Sequence, residues 1–380
     1  MDPFRLSNEQ EMFRRTVRQL VEDKVAPRAA EIDEKDEYPW DLHELLVANE
    51  LMGVGYPEAV GGSGGPLEVC LLIEELSRSS AAVALIPIAN RLAATPIMLA
   101  GNEEQQREIL GGVVRGERQL AYCLTEPGAG SDAAAMRSRA VRDHGGWVIT
   151  GTKRFITNAG PADTYTFFAV TEPGGAKGKN ISAFVVRRDA PGFSFGRDEH
   201  KMGIRGSTTR EVILEGYRAE PSDLIGEEHM GFTYAMRTLD YSRPTIAAQA
   251  LGIAQGAFDF AVSYAKERKQ FGKPIVEFQG IEFMLADMAM RIEASRLLTY
   301  KSATAVAEKD PRVSYWASIA KCYASDAAMA VTTDAVQILG GYGYVKEFPV
   351  ERFMRDAKIT QIYEGTNQVQ RVVIARQLSR

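Results

Sequence analysis

Cysteine and histidine are scarce, with three and four copies in 380 residues. Cys70, Cys123 and Cys322 are widely scattered and odd in number. That excludes a disulfide framework and fits a reducing compartment. His43, His144, His200 and His229 never fall at metal-ligand spacing, so no metal site is expected. An excess of one charge is also missing. The chain has 45 basic against 50 acidic residues, a net charge of -5, which offers no electrostatic reason to expect nucleic acid. No apolar run approaches the ~18 residues of a membrane span. The most apolar stretch, Ala81 to Ala89, stops at Asn90-Arg91, so no span is expected. Near the start, Asp2, Glu9 and Glu11 sit among arginines. This segment has neither the apolar core of a secretory signal nor the acid-poor character of a transit peptide. A cytoplasmic protein is expected, or a mitochondrial matrix protein only if a transit peptide has been removed.

What is present is an ordinary globular balance, 45% hydrophobic and 25% charged, in a chain long enough for two or three domains. Residues 1–118 suggest a helical domain. Met12, Val17, Leu20 and Val21 form an apolar stripe, and Asn102 is placed to cap a helix over 103–110. Residues 119–230 change to short β-branched and aromatic runs separated by Gly, Pro and Asp, which predicts a β-barrel or sandwich. Within it, 147–150 and 154–157 flank Gly151 and suggest a hairpin. Residues 231–380 are helical again. Ile281, Met284, Leu285, Met288 and Ile292 share one helical face, and short loops predict an antiparallel four-helix bundle. The expected class is mainly α with a central β domain, not a doubly wound sheet.

The chemistry concentrates in a few segments. Near the C-terminus, Tyr363, Glu364 and Gly365 set one carboxylate between an aromatic ring and a glycine. An apolar surround raises a carboxyl pKa and suits it to act as a base. Taken alone, most such pairs are turns or helix ends. A second segment, Gly128 to Ala133, formally matches a dinucleotide fingerprint. Strand-rich sequence follows it rather than a long helix, so the Rossmann interpretation fails. A polar loop of this kind still offers N–H groups and hydroxyls to a ligand, or simply joins two domains.

In combination, the segments resemble the acyl-CoA dehydrogenase family over essentially the whole chain. The matching pieces are YCLTEPGAGSD (122–132), FITN (155–158), ERKQFGK (267–273), Phe278-Gln279, QILGG (337–341), RDAK (355–358) and YEGTNQ (363–368). The resemblance implies a helix–strand–helix flavoenzyme that oxidises an acyl-CoA to its trans-2-enoyl-CoA. It assigns removal of the α-proton to Glu364 and transfer of the β-hydrogen, as hydride, to N5 of FAD. It also implies that the Glu364 backbone N–H donates to the thioester carbonyl. Some relatives carry the base on another helix, where this chain has Ser242, which cannot serve.

Flavin contacts carry over to Tyr122, Cys123, Leu124, Thr125, Gly130 and Ser131, to Phe155, Ile156 and Thr157, and to Thr366, Asn367 and Gln368. Many relatives have tryptophan where this chain has Phe155. Arg268, Lys269 and Gln270, with Phe278, Gln279, Gln337, Ile338, Leu339, Gly340 and Gly341, resemble residues that meet a neighbouring subunit's FAD, which implies a homo-oligomer, usually a tetramer. Composition alone would make Arg268 a solvated charge. Substrate contacts fall on Ser131, Asp240, Tyr241, Ser242, Arg243, Tyr363 and Gly365, although Asp240 and Arg243 also suit a structural ion pair. Leu85 and Ile88 lie where relatives close the acyl pocket, or are ordinary core. The similarity leans towards short- or branched-chain members, with medium-chain ones also in range. An electron-transfer flavoprotein is the expected acceptor. An oxygen-using oxidase or monooxygenase on the same fold, or a non-catalytic helical binding protein, are the competing classes.

Overall fold

The computed structural model describes residues 5–379. Helix α1 (Asn8–Leu20) starts at Ser7, whose side chain accepts from Gln10 while Gln10 returns the bond. Beyond a single π turn, a 3₁₀ turn containing Pro27 leads into α2 (Ala29–Lys35). Then come α3 (Trp40–Ala48), α4 (Pro66–Ser77) and α5 (Ala81–Ala100). Asn102 caps the next turn as expected, accepting from the Gln105 N–H at 2.8 Å. That turn, α6 (Glu103–Gln105), passes through a π segment into α7 (Gly111–Val114).

The strands follow: β1 (Leu120–Cys123), β2 (Arg139–Asp143), β3 (Gly146–Thr157), β4 (Thr164–Val170), β5 (Ile181–Arg187), β6 (Phe193–Asp198) and β7 (Thr209–Ala219). They form one seven-stranded sheet in the order β1-β4-β2-β3-β7-β6, with β5 paired to β4. Its core is aromatic, with Trp147, Tyr165, Phe167, Phe184 and Tyr217 all buried. The hairpin expected around Gly151 is absent. Residues 146–157 are one continuous strand, and Gly151 sits at a register shift against β7. Glycine is required there because a Cβ would overlap the Ser138 side chain. It marks a bulge and a close approach, not a turn.

The C-terminal helices are α8 (Gly231–Glu267), α9 (Gln279–Ala307), α10 (Val313–Leu339), α11 (Val350–Thr360) and α12 (Asn367–Leu378). A two-residue ladder, β8 (Lys269–Gln270) with β9 (Lys273–Pro274), tightens the α8–α9 connection. Gly252 and Gly256 let α8 approach α4, since a Cβ at either would overlap the carbonyl of Glu74 or Arg78. The N-terminal helices are thereby packed against the bundle.

A second sequence expectation needs correction. The apolar run beginning at Ala81 does not stop at Asn90-Arg91. It continues as the 20-residue helix α5, long and apolar enough to cross a membrane by length and composition, and its most apolar 18-residue window is 72% buried within this protein. The two polar residues are satisfied inside. Asn90 Nδ2 donates to the Ile86 carbonyl at 2.9 Å, and its Oδ1 accepts from the Leu120 N–H at 2.7 Å. Arg91 donates to the Gly55 carbonyl.

Candidate active site

A cavity of about 360 Å³ opens where the three structural regions meet. Helix α5 contributes Leu85, Ile88, Ala89 and Leu92, and α8 contributes Phe232, Met236, Leu239 and Arg243. The end of β1 and the following loop supply Tyr122, Leu124, Thr125, Gly130 and Ser131. The end of β3 supplies Phe155, Ile156 and Thr157. The α11–α12 loop completes the wall with Tyr363, Glu364 and Gly365. Segments more than 200 residues apart in sequence thus face one space, whose volume suits a small ligand.

Glu364 stands on an unusual backbone. Its φ is +51° and that of Gly365 is +91°, two successive left-handed residues. A non-glycine residue there is uncommon and must be held by its surroundings. The Ser242 hydroxyl donates to Oε2 of Glu364. Burial raises the Glu364 carboxyl to about 7, while Ser242, Arg243 and Lys321 each favour its ionised form. The Glu364 N–H donates to no backbone carbonyl among the described residues. Tyr363 is anchored through its hydroxyl to Gln249.

Around Glu364, Arg243 donates to Asp240 at 2.6 Å, and the two form an ion pair. Arg243 nevertheless lines the cavity, and its buried Nε has no hydrogen-bond partner among the described residues. Tyr241 is not among the lining residues. The predicted flavin segments divide. Phe155 has φ +57° and is 60% exposed at the rim, a flat aromatic face held in a left-handed conformation. Thr125, Ser131 and Thr157 line the same space, and the buried Tyr122 hydroxyl has no partner among the described residues. An aromatic face, hydroxyls and an unpartnered phenol fit a flat, polar-edged ring such as isoalloxazine.

Other predicted residues point elsewhere. The Cys123 thiol is fully buried in the β core. The Asn367 side chain faces Lys321, Ser325 and Asp326. Thr366 uses its hydroxyl to cap α12, and Gln368 is exposed. Arg268, Gln270 and Ile338 to Gly341 line a different hollow of about 490 Å³, together with Tyr264, Ile275, Tyr342 and Val345. No residue lines both spaces. Arg268 lies 5.4 Å over the Tyr342 ring. Lys269 pairs with Pro274 in the small ladder, Phe278 packs edge-on to Phe271, and Gln279 and Gln337 are exposed.

Sequence reasoning missed three groups in or behind the cavity wall. Lys321 is buried beside the Glu364 turn. Arg376 lines the cavity's outer part. Lys153 and Glu126 form a buried ion pair at 2.8 Å behind the Leu124–Ser131 loop. A lone lysine among Ser318, Ala320, Ala324 and Ser325 was the available hint for Lys321.

Comparison with known proteins gives the arrangement its relatives. Family models described as the N-terminal, middle and C-terminal domains of acyl-CoA dehydrogenase match residues 7–117, 121–217 and 229–379. A probable acyl-CoA dehydrogenase of Mycobacterium tuberculosis, FadE25, is 48% identical over all of this chain and 97% of its own. The structure of butyryl-CoA dehydrogenase from Megasphaera elsdenii superposes with a TM-score of 0.97 at 44% identity, over the whole of both chains. A chain in the structure described as the electron transferring flavoprotein of Acidaminococcus fermentans does so with the same TM-score at 45% identity, again over the whole of both. Three matched domains in order, around a cavity whose rim suits a flavin, lead to one conclusion: the chain belongs to the acyl-CoA dehydrogenase family of FAD-dependent oxidoreductases.

Proposed function

We propose that this protein oxidises a short acyl-CoA thioester to the trans-2-enoyl-CoA, with Glu364 as the base. The observation that carries this reading is the Glu364 carboxylate, raised to about 7 and facing an apolar cavity rimmed by flavin-compatible residues. A base poised near the working pH combines ionisation with proton affinity. Glu364 takes the proton from the α-carbon. Its own backbone N–H donates to the thioester carbonyl oxygen, where negative charge builds. When bound, the flavin supplies the acceptor for the hydride that leaves the β-carbon. Leu85, Ile88, Leu92 and Phe232 exclude water from the reacting end. Ser242 orients the carboxylate, and Arg243 with Lys321 keeps the ionised form accessible. The two electrons then pass to a carrier of the electron-transferring-flavoprotein class. The similar chain in the Acidaminococcus structure supports this step.

Substrate size follows from the cavity floor. Ile88 closes it and also faces a second, much smaller void lined by Met52, Tyr56 and Leu72. A space of about 360 Å³ shared with a flavin ring leaves room for a short tail. Anaerobic titration of the yellow protein with acyl-CoAs of graded length and branching tests both parts. Four- to six-carbon thioesters are expected to bleach the flavin most strongly, with slow reoxidation in air. Equal bleaching by long chains would refute the size assignment. Fast reoxidation by oxygen would instead indicate an oxidase.

The second hollow supports a shared site. Arg268 shares no lining residue with the cavity around Glu364, so it would meet a dinucleotide bound to a neighbouring copy. A guanidinium suits pyrophosphate because its planar fork donates paired hydrogen bonds. Around the same hollow, Phe271 is 95% exposed and Tyr344 86%, apolar surface that assembly would cover. A homotetramer with cofactor sites completed in pairs is the assembly we infer. Arg268→Ala is expected to weaken FAD retention about tenfold, the scale of one lost charged hydrogen-bond pair. The check is flavin absorbance per protein on dilution. A stable monomer that retains full FAD would contradict the shared site. A reducing, cytoplasmic setting fits the three buried free cysteines.

A further inference from the structure

Lys321 lies on α10 with its side chain wholly inaccessible. A buried ammonium is costly unless it is paired. Among the described residues Lys321 has no carboxylate within ion-pair distance. Its Nζ donates instead to the Gly365 carbonyl at 2.8 Å and to Oδ1 of Asn367 at 2.9 Å. Both acceptors belong to the turn that carries Glu364. Gln370 also donates to the Gly365 carbonyl, at 2.9 Å. Asn367 is fixed in turn, donating from Nδ2 to Ser325 at 2.9 Å and to Asp326 at 2.7 Å. The two left-handed residues 364 and 365 are thus tied from below by one cation and one amide.

We propose that Lys321 is a positioning residue for Glu364, its ammonium holding the Gly365 carbonyl and the Asn367 side chain so that the base and its amide N–H face the cavity, and its charge standing behind the carboxylate. The inference rests on Glu364 being the base. The position explains why a lysine, and not a neutral donor, occupies a buried helix face. A turn held only by neutral bonds would leave Arg243 alone, without a second cation, to oppose the burial of the carboxylate.

Charged and titratable groups approach the Glu364 turn and its supports from every element packed there. Helix α8 presents Asp240 and Arg243, and α10 presents Lys321, Cys322 and Asp326. Strand β1 presents Tyr122, the base's own loop Tyr363, and α12 Arg371 and Arg376. Arg243 is shared between Asp240 and the Glu364 carboxylate, and Arg371 pairs with Asp326 at 2.7 Å. Lys321 is the buried cation here without a carboxylate partner of its own. Burial draws the Lys321 ammonium down to about 8, with Glu364 pulling it upward. The coupling is reciprocal: the carboxylate holds the proton on Lys321, and the ammonium holds it off Glu364.

The test is the pH–rate profile of the FAD-loaded enzyme with a short acyl-CoA, for Lys321→Met and Lys321→Gln. The first removes charge and donor, and the second keeps an N–H donor without charge, so it serves if the first does not fold. Flavin content per protein and thermal midpoint are measured alongside. In both variants the acid limb of kcat is expected to move up by about one pH unit, as loss of a nearby opposite charge requires. At pH 7 kcat should fall about fivefold, with KM changed less than about twofold and flavin content retained. A uniform loss of rate with no shift of the limb, or a profile like that of the parent, would overturn the role. Glu364→Gln runs as the control. If it retains turnover, the base assignment itself fails and the proposal falls with it. If it is inactive while the Lys321 variants keep the parental limb, only the positioning role fails.

Discussion

Glu364→Gln is expected to lower thioester oxidation by about a thousandfold or more while FAD stays bound. General-base catalysis is worth about 10²–10⁴ in rate, and among the described residues the cavity's other lining carboxylate, Asp132, is exposed and paired with Lys177. Glutamine fills the same space and still accepts from Ser242, so packing around the turn is preserved. What it loses is the capacity to take a proton. Anaerobic mixing with a short acyl-CoA separates the effects: the variant should bind the thioester and fail to bleach. The same substitution has a second, opposite signature in stability. The folded-state value of about 7 lies above the ordinary 4.5 of a free carboxyl. Such a group contributes stability that is fully present below pH 4.5 and lost as pH rises through 7. Glutamine has no such dependence. Relative to the parent, the variant should therefore gain stability between pH 4.5 and 7, by up to about 3 kcal/mol at about 1.4 kcal/mol per unit. Thermal midpoints measured across that range would show the two curves diverging. Parallel curves would mean that the carboxyl is not held in this perturbed state, and near-parental turnover would remove Glu364 from the chemistry.

A carboxyl whose ionised form is disfavoured by burial, as that of Glu364 is, carries a standing instability, and the surrounding structure shows how it is contained. Asp240 bonds Arg243 and Ser314 on α10, so the wall opposite the carboxylate is itself cross-linked. Asp356, buried where α11 meets the middle domain, accepts from the Ile204 N–H. Arg355 beside it joins Asp33, at 2.6 Å, to Glu351, at 2.7 Å. These contacts tie the N-terminal helices, the sheet and the bundle together close to the segment that ends in Glu364. The strained turn is held by the meeting of three regions rather than by any one of them.

Much of this was legible in the sequence, for physical reasons that can be stated. Short β-branched and aromatic runs between Gly, Pro and Asp clusters marked the strands, and 3.6-residue stripes marked the helices. Asn102 announced a cap that the structure contains. Gly151 was misjudged because a glycine between two β-rich runs suggests a turn, whereas its cause was Ser138, a residue on another strand's approach. The polar pair Asn90-Arg91 looks like the end of the apolar stretch because its partners, Leu120 and Gly55, are ones that no local pattern reveals. At the site, the segments around Tyr122, Phe155 and Glu364 were identified, and the structure brings them to one cavity. Their division from Arg268 and the 337–341 segment is a matter of distance in three dimensions. Lys321 stayed hidden for a similar reason, since a lysine in a helix is ordinarily a solvated charge and its burial depends on how α10 meets the 364–367 turn.

The buried pair of Lys153 and Glu126 gives the largest expected effect on stability. Lys153 is fully inaccessible on β3. It donates to Glu126 at 2.8 Å and to the Leu124 carbonyl at 3.2 Å, with its ammonium 5.0 Å from the Phe167 ring. Burial disfavours the Glu126 carboxylate, but Lys153, the Ser138 hydroxyl and the Arg137 N–H outweigh it and hold the group below the usual range. The loop they brace carries Leu124, Thr125, Gly130 and Ser131 to the cavity wall. Lys153→Met would leave a desolvated carboxylate without its cation, a loss of about 3–5 kcal/mol. Adding Glu126→Gln should recover much of that, because a neutral pair in the same space no longer buries an unpaired charge. Denaturant unfolding of the two single variants and the double variant measures the coupling directly. A double variant as unstable as the sum of the singles, or a Lys153→Met protein within about 1 kcal/mol of the parent, would show that the pair does not brace the loop. If the brace is real, the single variant should also release FAD more readily than the double, because the wall that faces the flavin would be the part that loosens.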